Sequence, residues 1–420
     1  MRFPDLIFIS LENWDDIWRR NQFVCSTLAR RHPSSRILFV GLPRNISHEV
    51  RHGRLGAAAR DLLGLKGSSL RPVRDFPNIA LLNPLKLLPD SWNFSLELNQ
   101  AMFRAYIRKA AKRLGMYRPI VWVNAHQAGH VAGEMDESAL IYDVTDDWTS
   151  FDQPPWLRQR TIEQDEMLCR RADAVIVCSK RLYDMKSDLV SGDLHLIANG
   201  VNAGHYDAVM DGVGDLPPAA RSWPRPVFGY TGTIHPDRVD IELVHQIADQ
   251  MQSGSLVFIG PNHLSEIESR MLSQTGRVIL HGPAPYDVLP QLMRGFDACI
   301  VPHRTTEFVE SLQPIKLWEY LAAGKPIVST DVAGFRDFPQ FVRIAADAGD
   351  FASGMREALS EQPDLSAQRR AEARRHSWAS RVDQVEAVLL HAQGVRQASG
   401  LSAPPPDDTD FENHLIVRRV

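Results

Sequence analysis

The chain has 420 residues, with 47 basic and 51 acidic side chains, a formal net charge of −4 and 44% hydrophobic residues. This length exceeds what one hydrophobic core usually supports, so two domains are expected. Its apolar runs are strand-sized, whereas a membrane-spanning helix needs about 20 apolar residues, and no export signal is visible. The four scattered cysteines form no C-x-x-C pair, so we expect a reducing cytoplasmic location and neither disulfides nor a zinc site.

Charge is unevenly distributed along the chain. Residues 1–200 carry 27 basic and 23 acidic side chains, whereas residues 201–420 carry 20 and 28. Within the first half, residues 44–118 hold 14 basic and 5 acidic side chains. Such an excess of positive charge is typical of a surface that meets an anionic partner.

The first half of the chain alternates short apolar runs with amphipathic stretches. Strands are predicted at residues 6–10, 36–40, 120–124, 140–143, 174–178 and 194–197, and helices at 17–30, 96–114, 157–171 and 180–189. This alternation predicts βαβ units and a parallel sheet within residues 1–205. Residues 206–226 are rich in Gly, Pro, Asp and Ala, follow neither period and are interpreted as an interdomain linker.

The alternation restarts at residue 227 and predicts a second domain over residues 227–375. Its strands are expected at 227–231, 256–259, 278–280, 298–301, 327–329 and 342–344. A last amphipathic helix is expected over 376–395, and residues 396–420 are predicted to be a disordered tail. The predicted fold class is therefore α/β, with two Rossmann-like, doubly wound parallel-sheet domains.

A glycine loop joins a predicted strand to a helix at residues 229–240, Gly-Tyr-Thr-Gly-Thr-Ile-His-Pro-Asp-Arg-Val-Asp. Ligands of open parallel sheets bind beyond the carboxyl ends of strands. Gly232 would let a ligand approach the backbone, and the helix start that follows favours an anion. An ordinary strand-to-helix turn explains this motif at least as well when it is taken alone.

A second candidate site is the helix predicted from Pro314 to Ala323. Lys316 lies in its first turn, where a cation opposes the helix dipole unless an anion is present. Glu319 lies one turn later on the same face, and a carboxylate commonly binds ribose hydroxyls. The pair predicts a nucleoside diphosphate across the helix start. A solvent-exposed ion pair is the alternative, but the flanking strands are predicted to be central.

Five landmarks then occur in order: Asn199-Gly-Val-Asn, Gly229-Tyr-Thr-Gly-Thr, Phe258-Ile-Gly-Pro, Leu280-His-Gly-Pro-Ala-Pro-Tyr and Pro314-Ile-Lys-Leu-Trp-Glu-Tyr-Leu-Ala-Ala-Gly-Lys-Pro. This ordered set resembles the signature of retaining GT-B glycosyltransferases of family 4, also described as group 1. The resemblance implies two Rossmann-like domains facing a cleft, with a nucleotide sugar in the C-terminal domain and an acceptor in the N-terminal one. The last helix would return to the N-terminal domain.

Carried over by position, the resemblance assigns donor binding to Gly232, Thr233, Arg238, Gly282, Pro283, Lys316, Leu317 and Glu319. Glu319 would bind the ribose, and the backbone of Gly282 and Pro283 the base. Thr233 stands where an Arg or Lys is usual, so Arg238 and Lys316 would hold the diphosphate. Ser311 stands where the family often has a Glu that contacts the donor sugar.

The N-terminal half supplies candidates for the acceptor side. The resemblance implies acceptor contacts for Arg19, Arg20, Gln22 and His126, although the first loop lacks the family's usual glycine pair. The predicted catalytic residues are Arg238, Lys316, Asp146 and His126. A carboxylate at Asp146 could steady positive charge at the anomeric carbon or orient the acceptor hydroxyl. Helix capping by Asp146 or Asp147, a packed His126 and exposed surface arginines are the alternatives.

The predicted function is a retaining glycosyltransferase that moves a hexose-type sugar from a nucleotide diphosphate to a glycan or glycolipid acceptor, without a metal or other cofactor. A nucleotide-sugar epimerase on the same fold and a catalytically silent nucleotide-sugar-binding subunit remain alternatives. The basic helix at residues 100–114, together with residues 51–60, could bind the anionic lipids at the inner face of the cell membrane. A solvated basic face on a core helix explains it equally well, and nucleic acid is not an expected partner.

Overall fold

The computed structural model describes residues 2–15, 18–45, 70–86, 93–212 and 215–398. The strands of its N-terminal part are β1 (Leu6–Ile9), β2 (Ile37–Val40), β3 (Arg44–Asn45), β4 (Arg71–Val73), β5 (Phe76–Leu82), β6 (Leu85–Lys86), β7 (Ile120–Val123), β8 (Ala139–Val144), β9 (Ala174–Val177) and β10 (Asp193–Leu196). The helices are α1 (Arg20–Arg31), α2 (Asn93–Arg113), α3 (Pro155–Arg171) and α4 (Lys180–Lys186).

The N-terminal sheet has the strand order β10-β9-β8-β7-β1-β2-β5-β4, and all neighbours are parallel except β4 and β5. The central strand β1, Leu-Ile-Phe-Ile, is buried on both faces, as the strands of a helix-covered parallel sheet must be. The edge hairpin β4–β5 is absent from the sequence prediction. Pro72 and Pro77 lie within it and mask the strand pattern, and proline is tolerated there because the hairpin lies at the sheet edge.

The strands of the C-terminal part are β11 (Val227–Thr231), β12 (Ser255–Ile259), β13 (Val278–Gly282), β14 (Ala298–Val301), β15 (Ile327–Thr330) and β16 (Val342–Ala345). The helices are α5 (Asp207–Asp211), α6 (Pro218–Ser222), α7 (Ile241–Gln250), α8 (Glu266–Gln274), α9 (Leu289–Met293), α10 (Glu307–Ser311), α11 (Ile315–Ala322), α12 (Ala348–Ala358), α13 (Asp364–Arg375) and α14 (Trp378–Ala398). The second sheet is parallel throughout, in the order β13-β12-β11-β14-β15-β16. The predicted pair of parallel-sheet domains is therefore confirmed.

The segment predicted to be a linker, residues 206–226, packs against the second sheet. It contains α5 and α6, and the side chains of Tyr206 and Trp223 are buried in the same apolar cluster as Val227. The Gly and Pro content of this segment predicts an open connection between domains. Its aromatic residues are instead buried, and they hold the segment in the C-terminal core. The chain instead passes from one sheet to the other just after β10, between Ile197 in the N-terminal cluster and Val201 in the C-terminal one.

The final helix α14 packs on the N-terminal domain. Trp378, Val382 and Leu389 are buried in the N-terminal apolar cluster, and Arg396 pairs with Asp173 at 2.7 Å. The helix extends to residue 398, so residues 396–398 are ordered helix rather than tail. The remaining predicted tail, 399–420, lies outside the described residues.

The basic helix α2 turns its apolar residues toward the protein. Phe103 and Ile107 are 3% and 0% exposed and belong to the core, so they do not form a lipid-facing surface. Lys109 and Lys112 are exposed, whereas Arg108 pairs with Glu134. The other predicted membrane segment, 51–60, lies outside the described residues. Within the part of the chain that the structure describes, no helix has the length and apolar character needed to cross a membrane.

Candidate active site

A cavity of about 450 Å³ lies between the two sheets and is lined by residues from both. Its N-terminal wall comes from the loops after β1 and β8, and its C-terminal wall from the loop after β11 and the start of α11. Strand-end loops therefore meet here, as the α/β architecture predicts. The predicted residues in its lining are Arg19, Arg20, Asp146, Gly232, Thr233, Arg238, Lys316 and Glu319.

Lys316 lies in the first turn of α11, and its side chain rests on the backbone of Gly232. Gly232 has a φ of 125°, and a Cβ at this position would lie 2.5 Å from both Cε and Nζ of Lys316. The Lys316 Nζ also lies 5.1 Å from the centre of the Tyr230 ring. Glycine is therefore required at position 232 both for the backbone conformation and for the close approach of the lysine.

Arg238 provides the second positive charge of this wall. Its guanidinium lies over the Phe308 ring, 5.5 Å from the ring centre. The loop that carries it is fixed by the Arg238 N–H, which donates to the His235 carbonyl at 3.0 Å, and by the Arg304 N–H, which donates to the Arg238 carbonyl at 2.8 Å. Among the described residues, no carboxylate forms a salt bridge with Arg238 or Lys316. The two cations at the helix start therefore have no carboxylate in direct contact, and Glu319 and Asp146 act on them only from a distance.

The surroundings of Lys316 disfavour its charged form and so lower its pKa. Burial between the cleft walls and the nearby charge of Arg238 lower this pKa to about 8, and Glu319 opposes the shift. A bound anion would favour the charged lysine and reverse the shift. The C-terminal wall is thus prepared for an anionic ligand.

Glu319 lies one turn after Lys316, in the same cavity lining. The two described side chains interact electrostatically but do not approach within salt-bridge distance, so the surface ion-pair alternative does not describe them. Burial raises the pKa of Glu319, and the neighbouring Tyr206 hydroxyl and Lys316 oppose this. The helix is tied to the glycine loop because the Thr231 N–H donates to the Tyr320 hydroxyl at 2.9 Å.

The N-terminal wall is acidic and contains Glu12, a residue that belongs to none of the motifs in the sequence. Glu12 pairs with Arg19 at 3.1 Å. Burial in the cleft raises the pKa of Glu12 to about 7; Arg19 opposes this shift, and the charge of Asp146 adds to it. The Glu12 side chain still keeps 36% of its surface exposed. Its place three residues after β1 is the signal that could have identified it.

Asp146 follows β8 and lines the same wall. Burial raises its pKa, and the charge of Arg238 and the Thr145 hydroxyl, which donates to its carboxylate at 3.1 Å, oppose this. Asp147, the alternative helix cap, instead accepts from the Thr149 N–H at 3.1 Å. Asp146 is thus the carboxylate of this pair that reaches the cavity.

Two predicted acceptor residues are engaged in structural contacts. Arg20 is 4% exposed; it pairs with Asp143 at 3.2 Å and donates to the Ile197 carbonyl at 3.0 Å, which ties α1 to β8 and to the crossing segment. Gln22 is fully buried, and its Oε1 accepts from the Arg19 N–H at 3.1 Å, so that α1 begins at residue 20 rather than 17. The Gln22 side chain therefore does not reach the cleft. Sequence alone did not indicate which face of α1 is buried.

His126 also lies away from the cavity surface. It is 4% exposed, and burial lowers its pKa to about 4, so it is a packed, neutral histidine.

Three predicted donor-side residues lie outside the lining of the 450 Å³ cavity. Leu317 is fully buried in the C-terminal core and borders a second cavity, of about 840 Å³, on another part of the interdomain surface. Gly282 and Pro283 lie at the end of β13, outside the lining of the 450 Å³ cavity, and the Gly282 carbonyl accepts from the Gly260 N–H at 2.9 Å.

Ser311 joins the two domains at the position where a glutamate was expected from the resemblance. It is fully buried, and its hydroxyl accepts from the Asp147 N–H at 3.2 Å and donates to the Phe308 carbonyl at 2.7 Å. Asn199 similarly donates to the Gln313 carbonyl at 2.6 Å. Ser311 therefore acts as an interdomain contact in this structure.

Two parallel-sheet α/β domains, a cleft between their strand ends and a last helix that returns to the first domain define the GT-B fold. Residues 225–361 match the family model described as glycosyl transferases group 1. The chain is thus a GT-B protein related to the group 1 glycosyltransferases, which confirms the predicted resemblance.

Similarity to individual proteins agrees with this assignment. A putative teichuronic acid biosynthesis glycosyltransferase of Bacillus subtilis (strain 168) is 26% identical over 211 residues, covering 46% of this chain and 50% of the relative. The match thus spans about half the length of that relative. Among solved structures, the sucrose-phosphate synthase of Thermosynechococcus elongatus has a TM-score of 0.65 at 16% identity, covering 94% of this chain and 99% of that one. Anabaena HepE in complex with UDP-glucose has a TM-score of 0.63 at 14% identity, covering 93% and 100%.

Proposed function

We propose that this protein is a retaining glycosyltransferase that transfers a hexose-type sugar from a nucleoside diphosphate to a hydroxyl of a glycan or glycolipid. The observation that carries the proposal is the pair Arg238 and Lys316, two cations without a carboxylate partner among the described residues, beside Gly232 at the start of α11. A diphosphate provides the missing negative charge, and a helix start adds its dipole.

Glu319 completes the donor site in this proposal. It lies one turn beyond Lys316, so a nucleotide whose diphosphate contacts Lys316 can present its ribose hydroxyls to the Glu319 carboxylate. The base would then extend toward the backbone of Gly282 and Pro283, and Thr233 would border the diphosphate. Leu317 supports the helix from the core and does not contact the donor.

The transfer step needs no protein nucleophile. The bond between the anomeric carbon and the diphosphate oxygen breaks, a bond to the acceptor oxygen forms on the same face, and the acceptor proton passes to the leaving diphosphate. Arg238 and Lys316 stabilise the charge that grows on the diphosphate, and Asp146 stabilises positive charge at the anomeric carbon. His126, buried and neutral, serves packing.

We infer metal independence from the same two cations, because they supply the positive charge that a divalent ion would give a leaving diphosphate. Within the described residues, no group of three or more His, Cys, Asp and Glu side chains is arranged to hold a metal. Turnover that is unchanged in EDTA would support this inference. Loss of turnover that Mg²⁺ or Mn²⁺ restores would contradict it.

Two relatives guide the choice of substrates. HepE was crystallised with UDP-glucose, which makes uridine diphosphate sugars the first donors to test. The Bacillus relative is named for teichuronic acid biosynthesis, which supports a role in polysaccharide or cell-envelope synthesis.

A cytoplasmic enzyme of this kind would meet a lipid-linked acceptor at the inner face of the membrane. The exposed Lys109 and Lys112 of α2 could then contact anionic lipid.

A thermal-shift panel of UDP, GDP, dTDP and ADP sugars tests the donor site, because a bound donor stabilises the fold by mass action. We expect one base to raise the melting temperature, and Arg238→Met or Lys316→Met to reduce that shift. Arg304→Met is the matched control, since Arg304 is an exposed cation near the cavity but outside its lining. A panel without any shift would contradict the proposal.

Product analysis then separates an enzyme from a binding subunit. Release of the nucleoside diphosphate together with a glycoside of retained anomeric configuration, identified by NMR, is the expected result. An inverted product would contradict retention, and a changed sugar still attached to the nucleotide would indicate epimerisation. A donor that binds but is neither transferred nor hydrolysed would indicate a silent nucleotide-sugar-binding subunit.

A further inference from the structure

The two walls of the cleft differ in which charges are already neutralised. On the C-terminal wall, Arg238 and Lys316 have no salt-bridge partner among the described residues. On the N-terminal wall the reverse holds, because Arg19 is bound by Glu12 at 3.1 Å and Arg20 by Asp143 at 3.2 Å. Arg19 is shared between Glu12 and Asp15, at 3.1 and 3.2 Å, and Asp146 has no cation within salt-bridge distance among the described residues, so carboxylates outnumber cations at the N-terminal wall.

Behind this wall, a hydrogen-bond network of neutral side chains ties the loop after β1 to α1 and to the end of β7. The Asn124 Nδ2 donates to the Asp143 carbonyl at 3.1 Å, which fixes the Asn124 amide so that its Oδ1 accepts. The Asn21 Nδ2 donates to that Oδ1 and to the Ser10 hydroxyl, both at 2.8 Å. Asn21 borders the cavity but is 3% exposed, and its Oδ1 is sealed from solvent, so this network supports the wall and does not offer an acceptor to a ligand.

An aromatic side chain lines the same cavity as Glu12 and Asp146. Trp148 follows Asp146 by two residues, is half-buried and lines the cavity. Its ring is supported by Phe151 and Phe308, whose centres lie 5.5 and 5.8 Å away. Such a ring can bury the apolar face of a flat ligand. A pyranose ring has an apolar C–H face and, at its rim, hydroxyls that donate hydrogen bonds.

We propose, on the basis of the transferase function above, that the acceptor enters as an uncharged pyranose ring packed on Trp148, with its hydroxyls donating to the carboxylates of Glu12 and Asp146. An ionised carboxylate accepts hydrogen bonds and does not donate, which suits the hydroxyls of an uncharged sugar. A phosphate or carboxylate on this ring would meet Glu12 and Asp146, while Arg238, whose charge reaches both carboxylates, would already be held by the donor diphosphate. Sugar phosphates and uronates are therefore poor acceptors at this subsite.

The test compares sugars that differ in charge, using the donor found in the thermal-shift panel. Methyl α-glucoside and N-acetylglucosamine should accelerate release of the nucleoside diphosphate. Glucose 6-phosphate and glucuronate should show kcat/KM values lower by roughly tenfold, since like charges repel at short range. Trp148→Leu should raise KM for the uncharged sugars severalfold while the donor-induced thermal shift persists.

A matched pair of variants examines the role of charge. Glu12→Gln removes one carboxylate from the wall and should narrow the discrimination between glucose 6-phosphate and methyl α-glucoside severalfold. Glu242→Gln removes a carboxylate from the surface helix α7 and should leave the discrimination unchanged. The inference is overturned if the phosphorylated or uronate sugar has the higher kcat/KM, or if no sugar accelerates release by a protein that binds the donor. Failure of donor binding itself would instead refute the proposed function.

Discussion

A Cβ on residue 232 would lie 2.5 Å from the Nζ of Lys316, so the glycine loop and the first turn of α11 are fitted to each other. Gly232→Ala should displace the lysine from this position and weaken binding of a nucleoside diphosphate by roughly tenfold or more. Gly276→Ala is the control, because Gly276 also has a positive φ, 67°, but open space where the Cβ would lie. Calorimetric titration with UDP, or with the base selected by the donor panel, measures both variants. Equal affinities for the two variants would contradict this role for Gly232.

The lowered pKa of Lys316, about 8, predicts how donor affinity depends on pH. A diphosphate binds the charged lysine, which is already protonated below pH 8. Above pH 8, binding must take up a proton, so affinity should fall by up to about tenfold per pH unit. Lys316→Met should remove this dependence, since Arg238 keeps its charge throughout this range. Calorimetry in buffers of different ionisation enthalpy counts the protons taken up, and an uptake near zero at pH 9 would oppose the assignment.

The pH dependence of stability provides an independent check on Glu12. Its folded pKa, raised to about 7, lies above the ordinary value of 4.5. Between these values the folded state holds more protons than the unfolded state, so stability should fall as pH rises through this window. Glu12→Gln should flatten that part of the profile, as measured by urea unfolding midpoints between pH 4.5 and 7. Parallel profiles for the two proteins would show that the Glu12 carboxylate titrates normally.

Strand positions and the helix α11 were predictable because their signals are local. The run Leu6–Ile9 is apolar at every position, and Pro314 and Gly324 bracket α11. Residue roles that depend on packing were not predictable. Gly229 belongs to the predicted ligand motif, yet a Cβ there would lie 2.2 Å from the Phe296 ring, so this glycine serves packing beneath the sheet. Glu12 reaches the cleft because β1 is a central strand of its sheet. The order of strands in a sheet cannot be predicted from the local pattern of apolar and polar residues.

Removing one partner of the buried ion pair between Arg20 and Asp143 should strongly destabilise the N-terminal domain. Both side chains are almost inaccessible, at 5% and 1% exposure, and their closest charged atoms lie 3.2 Å apart. Arg20→Met would leave the aspartate charge buried without a partner, at a cost of about 3 to 5 kcal/mol in unfolding free energy. The double variant Arg20→Met/Asp143→Leu should lose much less, because no unpaired charge remains. Urea denaturation of both variants decides this, and equal losses would indicate that packing rather than charge is responsible.

Lys316 and Glu319 are expected to contact different parts of one nucleotide, so their variants should fail in different ways. Glu319→Gln should weaken the nucleoside monophosphate and diphosphate alike, roughly tenfold, because both contain the ribose. Lys316→Met should spare the monophosphate and weaken the diphosphate. It should also lower kcat at saturating donor, since the lysine stabilises charge that grows only as the diphosphate leaves. Arg304→Met, which alters a cation outside the cavity lining, should retain wild-type affinity for both nucleotides. If both cleft variants bind the diphosphate as tightly as the wild type, the donor does not lie across the start of α11.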